Sequence, residues 1–174
     1  MNRNTVLFLA LVLGVAATAP AHAADPARDG ALAVPANRIV GAWDGTGLVQ
    51  PCGSTLPFRT VRNTIVFQAG GIVVENARFP PNGVPNVHGV PGINQRSIGL
   101  GTWSYNPNTG QYTMQLRFDY FVDGAYHGYG TVDRTILLSS DGSGNGGTVR
   151  AVRYRADGSI VAEECGTASG VRIQ

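Results

Sequence analysis

The sequence predicts an all-β protein built as one closed, up-and-down antiparallel barrel of about eight strands. From residue 39 onwards, short runs rich in Val, Ile, Thr, Tyr and Phe alternate with clusters of Gly, Asn, Asp and Pro, which is typical of strands and turns. No stretch repeats apolar residues at helical spacing for three turns. The links between the runs are mostly short, and a closed barrel leaves no exposed sheet edge. A two-sheet β-sandwich is the alternative.

The eight strands are predicted at about 39–50, 59–68, 72–79, 97–105, 111–122, 125–138, 148–156 and 159–173. Asp123-Gly124 and Asp157-Gly158 are typical of two-residue type I′ hairpins, in which glycine supplies a positive φ. Alternate links of such a barrel lie at the same end. The long links 51–58 and 80–96 therefore share one rim, which we expect to be a mouth covered by a semi-rigid, proline-rich flap over 80–96.

The sequence predicts a signal peptide over 1–23, a flexible leader over 24–38 and a barrel domain over 39–174. Arg3, an apolar run over 6–19 and the Ala-His-Ala triplet at 21–23 are the parts of a cleavable signal. The protein is thus expected to be exported, and to be periplasmic or secreted. The apolar run is shorter than the roughly 20 residues a bilayer requires, which favours a cleaved signal over a membrane anchor. No membrane span is therefore expected in the mature protein.

The charges and motifs exclude several classes of function. Arginine supplies all 13 basic side chains and the acidic residues number 11, a balance that predicts no nucleic-acid partner. The sequence contains no nucleophile elbow, zinc-protease motif or phosphate-binding loop, so we expect no cofactor and place binding ahead of catalysis. His88 and His127 do not stand at ligand spacing from a cysteine, so no metal site is expected.

The mature chain has two cysteines, Cys52 and Cys165. An even number of cysteines in an exported protein favours a disulfide bond.

The hairpin over 111–138 is the most informative segment. With a two-residue turn, Val122 pairs with Ala125, and alternation then places one face of both strands toward the barrel interior. The inward pairs would be Tyr120–His127, Phe118–Tyr129, Leu116–Thr131, Met114–Asp133 and Tyr112–Thr135, with Arg117 and Arg134 facing solvent. A one-residue bulge would reverse the far half of this assignment. In the last hairpin we expect a solvated ladder of charges, formed by Arg150, Arg153, Glu163 and Glu164.

The inward face predicts a pocket for a small apolar or amphipathic ligand, since an aromatic wall with a few polar groups is typical of such sites. The predicted ligand-binding residues are Tyr112, Met114, Phe118, Tyr120, His127 and Tyr129. One alternative is an isomerase or cyclase that uses His127, Asp133 and Tyr129 for acid–base catalysis. Another is an interaction or inhibitor protein that presents its rim loops to a partner.

Gly41-Ala42-Trp43 opens the first strand, and Arg172 stands near the end of the last. This pair resembles lipocalins and other calycin barrels, in which the tryptophan packs across the closed end under a late arginine. The resemblance implies structural roles for Gly41, Trp43 and Arg172 and a barrel that holds a ligand. Gly101-Thr102-Trp103, the Tyr112 hairpin and the segment 165–173 are also similar to exported bacterial proteins of unassigned function.

Overall fold

The computed structural model of the protein describes residues 34–174. The predicted signal peptide and residues 24–33 of the predicted leader lie outside the described residues. Short 3₁₀ turns cover Pro35–Ile39 and Val87–Gly89. The described residues form ten strands: β1 (Gly41–Pro51), β2 (Arg59–Gln68), β3 (Ile72–Ala77), β4 (Val84–Pro85), β5 (Ile93–Arg96), β6 (Gly99–Asn106), β7 (Gln111–Val122), β8 (Ala125–Leu138), β9 (Gly144–Arg155) and β10 (Ile160–Arg172).

Eight of these strands form a closed antiparallel barrel. Neighbours pair in the order β1, β2, β3, β6, β7, β8, β9 and β10, and β10 pairs back onto β1 to close the ring. The predicted fold class is confirmed. The β-sandwich alternative is wrong, because hydrogen-bonded pairing continues around the whole ring.

The strands β4 and β5 lie outside the ring, within the flap (residues 80–96). β4 pairs with β5, and β5 pairs with the end of β7 from Asn94–Val122 to Arg96–Tyr120. Sequence patterns missed this hairpin because its prolines are unfavourable for strands. Pro85 is tolerated because β4 is an edge strand, where the absent N–H leaves no ladder bond unmade.

A tryptophan and an arginine close one end of the barrel. The Trp43 indole is 1% exposed and donates a hydrogen bond to the Ile39 carbonyl oxygen at 2.8 Å. The Arg172 guanidinium lies 4.3 Å from the Trp43 ring centroid and donates to the Val40 carbonyl oxygen at 2.7 Å. A Cβ atom at Gly41 would lie 2.7 Å from the Arg172 guanidinium. The closed end thus has the geometry that the calycin resemblance implies.

Large apolar side chains fill the closed half of the barrel. The rings of Phe67 and Trp103 meet edge to face with centroids 6.3 Å apart. The closed-end core consists of Ile39, Trp43, Ile65, Phe67, Val73, Trp103, Tyr112 and Ile136, and the buried cluster continues toward the other end through Met114, Leu116, Phe118 and Tyr120. The other end, where the links after β1, β3, β7 and β9 lie, is the mouth.

The strand β8 contains a bulge that reverses the predicted orientation of most of its residues. Val122 pairs with Ala125 as predicted, but Tyr120 pairs with Gly128, so His127 is the extra residue. The predicted pairs from Tyr120–His127 to Tyr112–Thr135 are therefore wrong. The inward partners of β7 are instead Gly128, Gly130, Val132, Arg134 and Ile136.

Close contacts at two glycines of β8 account for this register. A Cβ atom at Gly130 would lie 2.4 Å from the Phe118 ring, so only glycine leaves room for that ring. Gly128 has a φ of 150°, and a Cβ atom there would lie 2.1 Å from the Tyr154 carbonyl oxygen. Gly130 must therefore face the Phe118 ring, Gly128 must lie against the β9 backbone, and the bulge brings both glycines to these positions.

A second register shift lies between Ile160 and Ala162 in β10. Arg150 and Glu163 pair on the outer surface at 2.7 Å, as the predicted ladder requires. Arg153 and Glu164 are buried instead, at 2% and 6% exposure. The prediction that all four charges are solvated is therefore wrong for these two.

Candidate functional site

A cavity of about 80 Å³ lies inside the barrel, between the closed-end core and the flap. One water needs roughly 10–15 Å³ in this measure, so the cavity holds several waters or a molecule of a few heavy atoms. We call this cavity the lumen. Its apolar walls include Val49, Val61, Met114, Leu116, Val132, Val149, Ala151 and Ala162, and its polar lining is Arg59, Asn63, Glu75, His88, Arg96, Tyr120, Arg134, Arg153 and Glu164.

Three of the predicted ligand-binding residues, Met114, Phe118 and Tyr120, line the lumen. Tyr112 is buried on the same face of β7 but belongs to the closed-end core. Its ring centroid lies 4.7 Å from that of Tyr105, and its hydroxyl donates to the Pro35 carbonyl oxygen at 2.5 Å. Burial raises the pKa of Tyr120.

The structure places His127, Tyr129 and Asp133 away from the lumen. Tyr129 stacks on Tyr154 at 4.8 Å between ring centroids, with the Arg117 guanidinium 3.9 Å from its own ring. Asp133 accepts a hydrogen bond from the Gln115 amide at 3.0 Å on the outer surface.

His127 is the bulge residue at the mouth end of β8. Its partial burial lowers its pKa, as do the nearby charges of Arg153 and Arg155. The barrel register therefore does not assemble the three residues proposed for acid–base catalysis.

Below the flap, Glu75 joins two hydrogen-bond donors on the lumen wall. The Asn63 amide donates to Glu75 at 3.0 Å, and the Arg96 guanidinium forms an ion pair with its other carboxylate oxygen. The same guanidinium lies 3.4 Å from the centroid of the Phe118 ring. Both side chains of the ion pair are buried, so the Glu75 carboxylate is already neutralised by Arg96.

A second ion pair lies at the mouth. The Arg59 guanidinium donates to both oxygens of Glu164, at 2.7 Å from its Nε. His88, in the flap, lies with Nε2 3.2 Å from the same carboxylate. Burial by itself would raise the pKa of Glu164, but the hydrogen bonds from His88 and Arg59 and their charges lower it to about 2. Glu164 therefore connects the flap to the barrel wall.

Arg153 makes the second connection to the flap. It donates to the Val87 carbonyl oxygen at 3.1 Å and to the Asn94 side-chain oxygen at 2.8 Å. Its guanidinium lies 4.1 Å from the centroid of the Tyr120 ring. Asn94 is fully buried, and its amide donates in turn to carbonyl oxygens at Val90 and Gly92. The flap thus covers the lumen and is hydrogen-bonded to the barrel wall, and its semi-rigid character stays a prediction.

Sequence reasoning missed the charged residues of the lumen, although part of the signal was present. Glu75 alternates with the buried Val73 and Ala77 in β3, and Arg134 alternates with Val132 and Ile136 in β8. Such alternation predicts an inward side chain. For Arg153 and Glu164 the signal was obscured, because a register shift between Ile160 and Ala162 changes the pairing of their two strands beside the turn that joins them.

The described residues contain one group of three side chains with metal-ligating atoms, Cys52, Glu163 and Cys165. Cys52 and Cys165 form a disulfide with their sulfur atoms 2.03 Å apart, as predicted. Their sulfurs are therefore bonded to each other and do not offer the thiolates that metals bind.

Residues 34–174 contain no helix long and apolar enough to cross a membrane. No protein family, curated protein or solved structure matches this chain, and the family resemblance therefore stays at the level of a closed, eight-stranded antiparallel barrel.

Proposed function

We propose that this protein is an exported barrel of the calycin type that binds one small molecule in its lumen. The observation that carries the proposal is a covered cavity of about 80 Å³ with apolar walls and several inward-facing polar side chains. Protein interiors are otherwise close-packed, and a cavity of this composition is typical of a binding site. The Gly41, Trp43 and Arg172 arrangement supports the calycin type.

The disulfide supports a place of action outside the cytoplasm. Such bonds persist in oxidising compartments and are rare in cytosolic proteins. Catalysis at His127 and Asp133 is not part of the proposal, because both lie away from the lumen.

Met114 is a built-in reporter of ligand binding. It is 1% exposed, lines the lumen, and is one of two methionines in the sequence. Protein labelled with ¹³C on the methionine methyl groups therefore gives at most two signals, which a Met114→Leu variant assigns. We expect the Met114 signal to shift when at least one of butyrate, 1-butanol or butylamine is added, because each is small enough for the lumen.

Filling the lumen distinguishes binding inside the barrel from binding on its surface. Ala151 lines the lumen, whereas Thr148 on the same strand is exposed. Ala151→Leu should abolish the ligand-induced shift, and Thr148→Leu should leave it unchanged. If none of the three probes moves the Met114 signal, or if Ala151→Leu binds as the native protein does, the proposal is wrong.

A further inference from the structure

The charges of the lumen are not balanced. Its lining contains four guanidinium groups, from Arg59, Arg96, Arg134 and Arg153, but only two carboxylates, from Glu75 and Glu164. Both carboxylates already form ion pairs, Glu75 with Arg96 and Glu164 with Arg59. Among residues 34–174, neither Arg134 nor Arg153 has a carboxylate within 4.0 Å. The interior therefore carries an excess of positive charge.

Arg134 is the more poorly satisfied of these two side chains. It is 6% exposed and faces inward from β8, where it pairs with Met114 on one side and Val149 on the other. It donates one hydrogen bond, to the Asn145 side-chain oxygen at 3.3 Å, and its buried Nε has no partner among the described residues. Burial lowers its pKa to about 10, although the charge of Glu75 opposes this effect.

A buried guanidinium with unused donors is a strong site for an oxyanion. Its planar fork matches the two oxygens of a carboxylate, and removal from water strengthens the attraction. Asn145 offers only a neutral oxygen, and Glu75 is held by Arg96 and Asn63. No carboxylate of the described residues is therefore paired with Arg134.

Resting on the proposed function, we propose that the lumen selects a compact anion, with a carboxylate at Arg134 and a short apolar body against Met114, Leu116 and Val132. Met114 pairs with Arg134, and Leu116 and Val132 lie one inward position nearer the mouth. The carboxylate and the apolar body of the ligand would therefore occupy adjoining parts of the lumen. Arg153 adds positive charge near the mouth, because its own donors go to the neutral groups of Val87 and Asn94.

The test compares three probes that share a four-carbon chain and differ in the charge of their polar group. Butyrate, 1-butanol and butylamine are titrated against the methionine-labelled protein at neutral pH. Butyrate should bind at least about tenfold more tightly than 1-butanol, as expected for hydrogen bonds to a charged group, and butylamine should not bind. Inorganic phosphate is a further probe, since binding as tight as that of butyrate would assign the site to phosphate and overturn the carboxylate assignment.

Two arginine variants locate the anion. Arg134→Leu should weaken butyrate binding at least about tenfold and change 1-butanol binding less than twofold. Arg117→Leu is the matched control, because Arg117 is exposed on the outer face of β7 and its loss changes the net charge equally. Arg134→Lys keeps the charge and should retain a preference for butyrate, which keeps the test valid if Arg134→Leu does not fold.

The outcomes separate this inference from the proposed function. If butyrate and 1-butanol bind equally well in the lumen, the binding function stands and the anion inference is wrong. Equal losses in Arg134→Leu and Arg117→Leu would also overturn the inference, because they would show a general effect of charge. If no probe moves the Met114 signal, the binding function itself fails.

Discussion

Trp43 shows how one residue connects three parts of the closed end. Its ring is covered by the Arg172 guanidinium of β10, and its N–H donates to the Ile39 carbonyl oxygen of the preceding 3₁₀ turn. Gly41 leaves the space that the guanidinium occupies. The buried ring therefore holds the first strand, the last strand and the entering chain together, and needs no ligand to account for its position.

We predict that Trp43→Ala lowers the free energy of unfolding by about 3 to 5 kcal/mol, because it leaves a large cavity in the core. Trp43→Phe should cost less, since it keeps a ring under Arg172 and loses the hydrogen bond to Ile39. Denaturant unfolding followed by circular dichroism measures both changes. A midpoint for Trp43→Ala close to that of the native protein would show that Trp43 is not a core anchor.

At the scale of elements, the flap is a separate hairpin attached to the mouth at a few points. Glu164 accepts from His88, Arg153 donates to Val87 and Asn94, and the Asp123 carboxylate accepts from the Ile93 N–H at 2.8 Å. Asn86 and His88 both adopt a φ of 55°, a conformation that residues other than glycine seldom take. Polar contacts rather than a shared apolar core therefore set the position of the 3₁₀ turn over the lumen.

We predict that stability depends on the ionisation of Glu164. Its pKa is about 2 in the folded protein, below the ordinary value of 4.5, so its carboxylate stabilises the fold fully above about pH 4.5. This contribution is lost as the pH falls from 4.5 toward 2. We expect a loss of about 2 kcal/mol, allowing for the solvent exposure of Arg59.

Unfolding free energies measured between pH 2 and pH 6 test this prediction. The native protein should lose stability as the pH falls from 6 to 2. The loss in Glu164→Gln should be smaller by about 2 kcal/mol. Glu163→Gln is a suitable control, because Glu163 pairs with Arg150 on the solvated surface. Parallel curves for the native protein and Glu164→Gln would contradict the role assigned to Glu164.

At the scale of the whole molecule, the disulfide joins the two strands that close the ring. Cys52 directly follows β1, and Cys165 lies within β10, opposite Gln50 of β1. The bond spans 113 residues of sequence, so it closes most of the unfolded chain into one loop. In the chain-entropy description such a loop contributes on the order of 4 to 5 kcal/mol.

The export proposal predicts a product that begins at Ala24 and contains the Cys52–Cys165 bond. Intact-mass analysis with an alkylating reagent should show no labelled thiol before reduction and two after it. Reduction should also lower the denaturant midpoint, because it frees the unfolded chain. Two labelled thiols in the unreduced protein would disprove the bond in solution, and a mass that includes residues 1–23 would disprove cleavage.

The sequence by itself determined the features that depend on local patterns. Strand and turn composition predicted all eight ring strands, Asp123-Gly124 predicted the tight hairpin, and alternation predicted the inward face of β7. The cysteine count predicted the disulfide, and Gly41, Trp43 and Arg172 pointed to the closed end. These features need only near neighbours in the chain or one strong motif.

Only the tertiary structure decided which polar side chains enter the lumen. The Phe118 ring requires a glycine at position 130, and the β9 backbone leaves no room for a side chain at Gly128. The bulge that supplies both glycines turns His127, Tyr129 and Asp133 away and brings Arg134 in. A one-residue shift moves every later side chain of a strand to its other face, so a local pattern cannot specify the site beyond a bulge. Packing at these two glycines, against β7 and β9, thus determined the charge of the lumen.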